Sequence, residues 1–131
     1  MENRDSEIFD LRGGVLGSVT PQSSPEEAFQ NITLRPILKL QNDLFVQVFI
    51  NYAIKQKNVY FALTVDKKMN YIENSIQRDI KFRNLLKGMI IGFFTVNEFQ
   101  EYIKNSSNLN KRMMNLLIER LKSQIQLIEM E

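Results

Sequence analysis

Leu85-Leu86-Lys87-Gly88-Met89-Ile90-Ile91-Gly92-Phe93-Phe94 is apolar on every side except at Lys87. Gly88 and Gly92, four apart, share one face of a helix and would let a neighbouring helix approach closely. Residues 80–91 therefore read as the central helix of an all-α fold. The run is too short to cross a bilayer, which takes about 20 apolar residues. Around it, 44% hydrophobic and 24% charged residues in a chain of 131 are the proportions of one globular domain with a single core.

Upstream of this stretch, Thr64 caps a helix whose inner positions Val65, Met69, Ile72 and Ile76 keep helical spacing. Continued at about 3.6 residues per turn, that face passes Asp79, Ile80 and Arg83 before reaching Leu86 and Ile90. Residues 64–91 are thus either one long helix with a charged step or two helices broken near Asp79. Val59 to Leu63 is β-prone but has no partner strand, and reads as a buried connection. Leu44 to Ile50 is apolar beyond a single stripe, so the helix from Pro36 to Gln56 should touch neighbours on two sides. Ser24-Pro25-Glu26-Glu27 opens an earlier helix, running to about Ile32, with a serine cap and a proline in the first turn. Pro36 should then restart the chain, because the residue before a proline is pushed out of the helical region.

Downstream, Gly92 falls where a left-handed helix end is expected. Thr95-Val96-Asn97-Glu98 is a capping box for a short helix to about residue 104, with Phe94 and Phe99 placed as a hydrophobic staple. Asn105 to Asn108 stops that helix and leads into a last one, from about Leu109 to Ile128. The expected architecture is a compact bundle of five or six helices over residues 24–131. Residues 1–23, with Gly13, Gly14, Gly17 and Pro21, read as an extended N-terminal arm that packs on the bundle through Ile8, Phe9, Leu11 and Leu16.

Composition narrows the chemistry. The chain has no histidine and no cysteine, which removes the commonest general base, the commonest transition-metal ligand and any disulfide. No metal site, cofactor or catalytic group is expected. The polar start, Met1-Glu-Asn-Arg-Asp-Ser-Glu, is unlike a secretory signal, and a cytoplasmic protein is expected. Charge is uneven: residues 1–34 hold six acids and two bases, whereas residues 35–124 hold fifteen bases and seven acids. The basic body can attract the acidic arm or face an anionic partner.

Three groups of residues are candidates for function. Asp79 and Arg83, four apart and so able to pair along a helix, form with Asn84 and Asn42 a possible polar ligand site; the plainer reading is a pair that fixes helix register. Lys67, Tyr71, Asn74, Arg78 and Lys81 follow one helix face, a minimal stripe for phosphate contacts with one stacking ring; the plainer reading is a solvated face. Met114, Ile118 and Ile125 widen the apolar arc of the last helix beyond one core contact. They mark either a homodimer interface or the chain's own core.

At Thr33-Leu-Arg-Pro-Ile-Leu-Lys, Asp79-Ile-Lys-Phe-Arg-Asn-Leu-Leu-Lys-Gly-Met-Ile-Ile-Gly and Asn105-Ser-Ser-Asn-Leu-Asn-Lys-Arg-Met-Met the chain resembles a small family of uncharacterised bacterial proteins of similar length. The resemblance covers nearly everything from about residue 24. Some members carry an automatic glyoxalase label, which implies a βαβββ metalloenzyme with His and Glu ligands. With no histidine here, no glyoxalase residue is carried over. The expectation is a non-catalytic interaction or assembly protein with an unknown protein partner. The alternatives are a helical enzyme or small-ligand binder using Asp79, Arg83 and Asn42, and a weak nucleic-acid or phosphate binder.

Overall fold

The computed structural model describes residues 2–15, 17 and 19–129, and among them there is no strand. The fold is all-α. In chain order it comprises α1 (Glu2–Arg12), α2 (Pro25–Phe29), α3 (Arg35–Leu40), α4 (Asn42–Lys55), α5 (Val65–Arg78), α6 (Ile80–Ile91), α7 (Val96–Ile103) and α8 (Ser106–Lys122). No helix among the described residues is long and apolar enough to cross a membrane.

Residues 2–12 form a helix where an extended arm was expected. They contain neither glycine nor proline, and the helix stops only where Gly13 turns to φ 75°. Side-chain charge, more than apolar surface, holds α1 down. Ile8 is buried, but Phe9 and Leu11 are 51% and 59% exposed. Leu16, the other anchor expected, lies outside the described residues. Arg4 instead donates to the carbonyls of Gly92 and Phe94, both at 2.9 Å, where α6 ends and its carbonyls lack helical partners.

The expected restart at Pro36 is absent. Arg35 keeps helical angles (φ −61°, ψ −44°), and the chain stays helical from α2 into α3 through a π turn, Gln30–Leu34. The wider turn takes up the crowding a proline ring causes in an α-helix. Pro36 also has no N–H to give the carbonyl four residues back, that of Ile32. Arg12 Nη2 donates to that oxygen at 3.1 Å.

Lys57 and Asn58, both at positive φ, end α4 and swing Tyr60 into the core on a 3-10 turn, Val59–Ala62. The choice between one helix and two over 64–91 falls to two. Asp79 breaks the chain in an extended conformation and caps α6, its Oδ1 accepting from Phe82 N at 3.1 Å. Gly92 is right-handed (φ −57°), not left-handed. Phe93 and Phe94 donate back to Ile90 and Ile91, tightening the turn there.

The centre of the bundle is α8 rather than α6. Leu109, Met113, Met114, Leu117, Ile118 and Leu121 of α8 are all buried, against α5, α6, α7 and the π turn. In α6 only Phe82, Leu86 and Ile90 are buried, Leu85 is exposed, and nothing lies within 4 Å of where a side chain on Gly88 would start. The glycine face thus receives no neighbouring helix. Between α4, α5 and α6 the core is aromatic: Tyr52 stacks on Phe82 at 3.8 Å and Phe49 meets Tyr60 edge-on at 5.3 Å.

Candidate functional site

Helix α7 is short, yet several elements fix it. Thr95 Oγ1 accepts from Glu98 N at 3.2 Å, and Thr95 N donates to Glu98 Oε1 at 2.8 Å, the capping box expected from sequence. The same carboxylate does a second job. Arg12 grips it with both terminal guanidinium nitrogens, Nη1 to Oε1 at 2.6 Å and Nη2 to Oε2 at 2.8 Å, and Thr33 Oγ1 donates to Oε2 at 2.6 Å. Arg12 and Glu98 are only 5% and 7% exposed. Burial pulls the Glu98 carboxyl upward, but the hydrogen bonds from Arg12, Thr33 and Thr95 with the Arg12 charge outweigh it and hold Glu98 below its usual range. One ion pair thus ties α1, the π turn and α7 together.

So held, α7 turns one face outward. Val96, Phe99 and Ile103 recur at helical spacing, with Phe99 44% and Ile103 57% exposed. With Ile91 and Phe94 they line an open groove of about 440 Å³, and Arg4 stands at its edge. Asp5 pairs with Arg4 at 3.2 Å, and both its carboxylate oxygens lie 3.4 Å from Val96 N. On its other side α7 borders a groove of about 530 Å³ against Pro25, Phe29 and Leu109, where the Glu98 oxygens are already engaged.

A different kind of surface lies between α6 and α8. Arg83, Lys87 and Lys111 line a cleft of about 450 Å³ with Gln77, Ser107, Asn110, Met114 and Asn115, and no carboxylate is among the lining residues.

The polar quartet of Asn42, Asp79, Arg83 and Asn84 is not brought together. Asn42 is clasped by Gln124, through bonds of 2.6 and 2.7 Å, and by Arg120. Asp79 spends one oxygen on the α6 cap and the other on the Tyr52 hydroxyl, at 2.9 Å. Those bonds, from Phe82 N–H first and Tyr52 second, lower the Asp79 carboxyl, while burial and Asp79 together push the Tyr52 hydroxyl up to about 12. Asp79 and Arg83 do not pair through their side chains: Arg83 N keeps its helical bond to the Asp79 carbonyl at 2.9 Å, but both Asp79 carboxylate oxygens are turned to the cap and to Tyr52. Arg83 Nη1 donates to the Gln77 carbonyl at 2.7 Å, and Asn84 is exposed.

The basic stripe is divided by the break at Asp79. Lys67, Asn74 and Arg78 are exposed on α5, whereas Lys81 belongs to α6. Tyr71 is half-buried, its ring edge-on to Phe49 and Tyr60, and so offers no open platform for a base. The apolar edge of the last helix is core: Met114 is 7% and Ile118 2% exposed, and Ile125, partly buried, packs against the core from a 3-10 turn beyond α8. The cover comes from α5, α6 and the neighbouring turns of the same chain, which leaves no interface face there.

The residues missed from sequence are Arg12 as the partner of Glu98, Phe99 and Ile103 as an outward face, and Lys87 with Lys111 across a cleft. Only Phe99 and Ile103 carried a local signal, their spacing with Val96 on a capped helix. No protein-family model, curated protein or solved structure matches this chain.

Proposed function

We propose that the chain is a non-catalytic interaction protein that seats an amphipathic helix of a protein partner on the outer face of α7. The observation that carries this is the apolar row of half-buried Val96 with exposed Phe99 and Ile103, on a helix whose other face is locked by the Arg12–Glu98 pair. A rigid helix with apolar side chains one turn apart suits an incoming helix with apolar anchors at the same spacing. Exposed Glu7 and Asp10 on α1 favour a partner with a basic residue beside its apolar stripe.

A photo-crosslinking residue at position 103 tests the reading in the native host. The expected product joins this chain to an amphipathic helical segment of another protein. It should disappear with Phe99→Asp, a variant whose melting temperature stays near wild type because Phe99 is exposed. No cross-link, or one indifferent to Phe99→Asp, would sink the proposal. A cross-link to a second copy would replace the partner by a homodimer built on α7.

A further inference from the structure

We infer that the cleft between α6 and α8 binds a condensed phosphate, free or as the di- or triphosphate portion of a small molecule, with Arg83, Lys87 and Lys111 meeting its charge. The lining supplies three cations and no acid. The charge around it has the same sign. Helix α6 carries Lys81, Arg83 and Lys87 without a carboxylate, and the first half of α8 carries Lys111 and Arg112 without one. Neither Lys87 nor Lys111 is engaged in an ion pair among the described residues, so both charges face solvent in want of an anion.

The neutral groups are set to donate. Tyr102 OH gives its proton to Asn110 Oδ1 at 2.6 Å, which occupies the acceptor end of that amide and leaves Nδ2 as its donating end. Arg83 is steadied by its 2.7 Å bond to the Gln77 carbonyl, and its planar fork suits the paired oxygens of a phosphate. Ser107 adds a hydroxyl in the first turn of a 17-residue helix, the end that favours negative charge. At about 450 Å³ the cleft has the size of a small-ligand site. Its lining has no aromatic ring, and Met114 is its one apolar side chain, so it reads phosphate and offers no stacking surface for the bases of a single strand.

Calorimetric titration of the full chain at low ionic strength, with tripolyphosphate as the probe, decides the matter. One saturable site is expected, weakened roughly tenfold by Lys87→Gln and by Lys111→Gln, as for loss of one charge-assisted bond each. The double variant should bind about a hundredfold more weakly, at an unchanged melting temperature. Lys67→Gln and Arg78→Gln, which lie outside the cleft, should bind like wild type. A nucleoside triphosphate should match tripolyphosphate in affinity if the phosphates alone are read. The inference fails if tripolyphosphate shows no saturation, or if the double variant binds as wild type does. It fails equally if all four lysine and arginine changes weaken binding alike, which would mean diffuse charge. A nucleoside triphosphate that binds where tripolyphosphate does not would refute recognition by phosphate. Oligothymidylate that binds more tightly than tripolyphosphate would make the cleft a nucleic-acid surface instead.

Discussion

Replacing Arg12 by Met is the most demanding test of how α1 and α7 are joined. The change keeps much of the side-chain volume but removes two bonds to Glu98 and those to the carbonyls of Phe93 and Ile32. It also leaves a carboxylate buried without its counter-charge, for which about 3–5 kcal/mol is the usual penalty. Glu98 keeps Thr33 Oγ1 and Thr95 N as donors, which places the loss toward the lower figure. In a chain of this size each kcal/mol moves the melting temperature by about 3–5 °C, so a drop of roughly 10 °C or more is expected. Urea denaturation followed by circular dichroism gives the free energy directly, and Glu98→Gln supplies the second edge of a double-mutant cycle. In the Glu98→Gln background no charge is stranded, and Arg12→Met should cost about 1–2 kcal/mol, from the lost carbonyl bonds. Coupling below about 0.5 kcal/mol would show the two residues acting independently and would refute the ion pair as the joint.

Two further outcomes rest on burial. Because Glu98 is held below its ordinary value of 4.5, the folded chain resists protonation there. That share of stability is present above the unfolded value and drains away as pH falls through the folded one. The melting-temperature difference between wild type and Glu98→Gln, measured from neutral pH downward, should therefore shrink on acidification; a constant difference would place the carboxylate in water. Ile118→Glu puts a charge where exposure is 2%, and should abolish cooperative unfolding. A folded Ile118→Glu chain with altered light scattering would return that side chain to an interface.

What the sequence disclosed was mostly what neighbouring residues decide among themselves. The Ser24, Thr64 and Thr95 caps formed as their side chains and the residues just after them indicate, and the all-α reading rests on the same local chemistry. Asp79 showed its polarity in an apolar face, but its role as a cap depended on a break that helical spacing alone left open. The second task of Glu98 stayed hidden because Arg12 is 86 positions away, in a segment whose later glycines gave it the look of a loose arm. The cleft stayed hidden for a related reason. Spacing along one helix groups Lys67 with Arg78, but it carries no information on which face of α6 meets α8, so Lys87 and Lys111 could not be matched. The breadth of the apolar arc on the last helix was plain, but spacing alone left open whether a second chain or the chain's own helices cover it, and Met114 and Ile118 are covered by the same chain.

The π turn at Gln30–Leu34 also makes the length of the chain at that point a structural parameter. Shortening this segment by one residue would let an ordinary α-helix run from Pro25 to Leu40. Because the π turn fits one extra residue into about one helical turn, its removal would leave the helices on either side in nearly their present orientation. Phe29, edge-on to Phe94 at 5.5 Å, would keep its side of the helix, but Pro36 would meet the helical crowding that the wider turn relieves. Substitutions within these five positions adjust contacts one at a time, whereas a single-codon deletion there would close the wider turn and place Pro36 inside an ordinary α-helix. The segment should accordingly drift in composition more freely than in length.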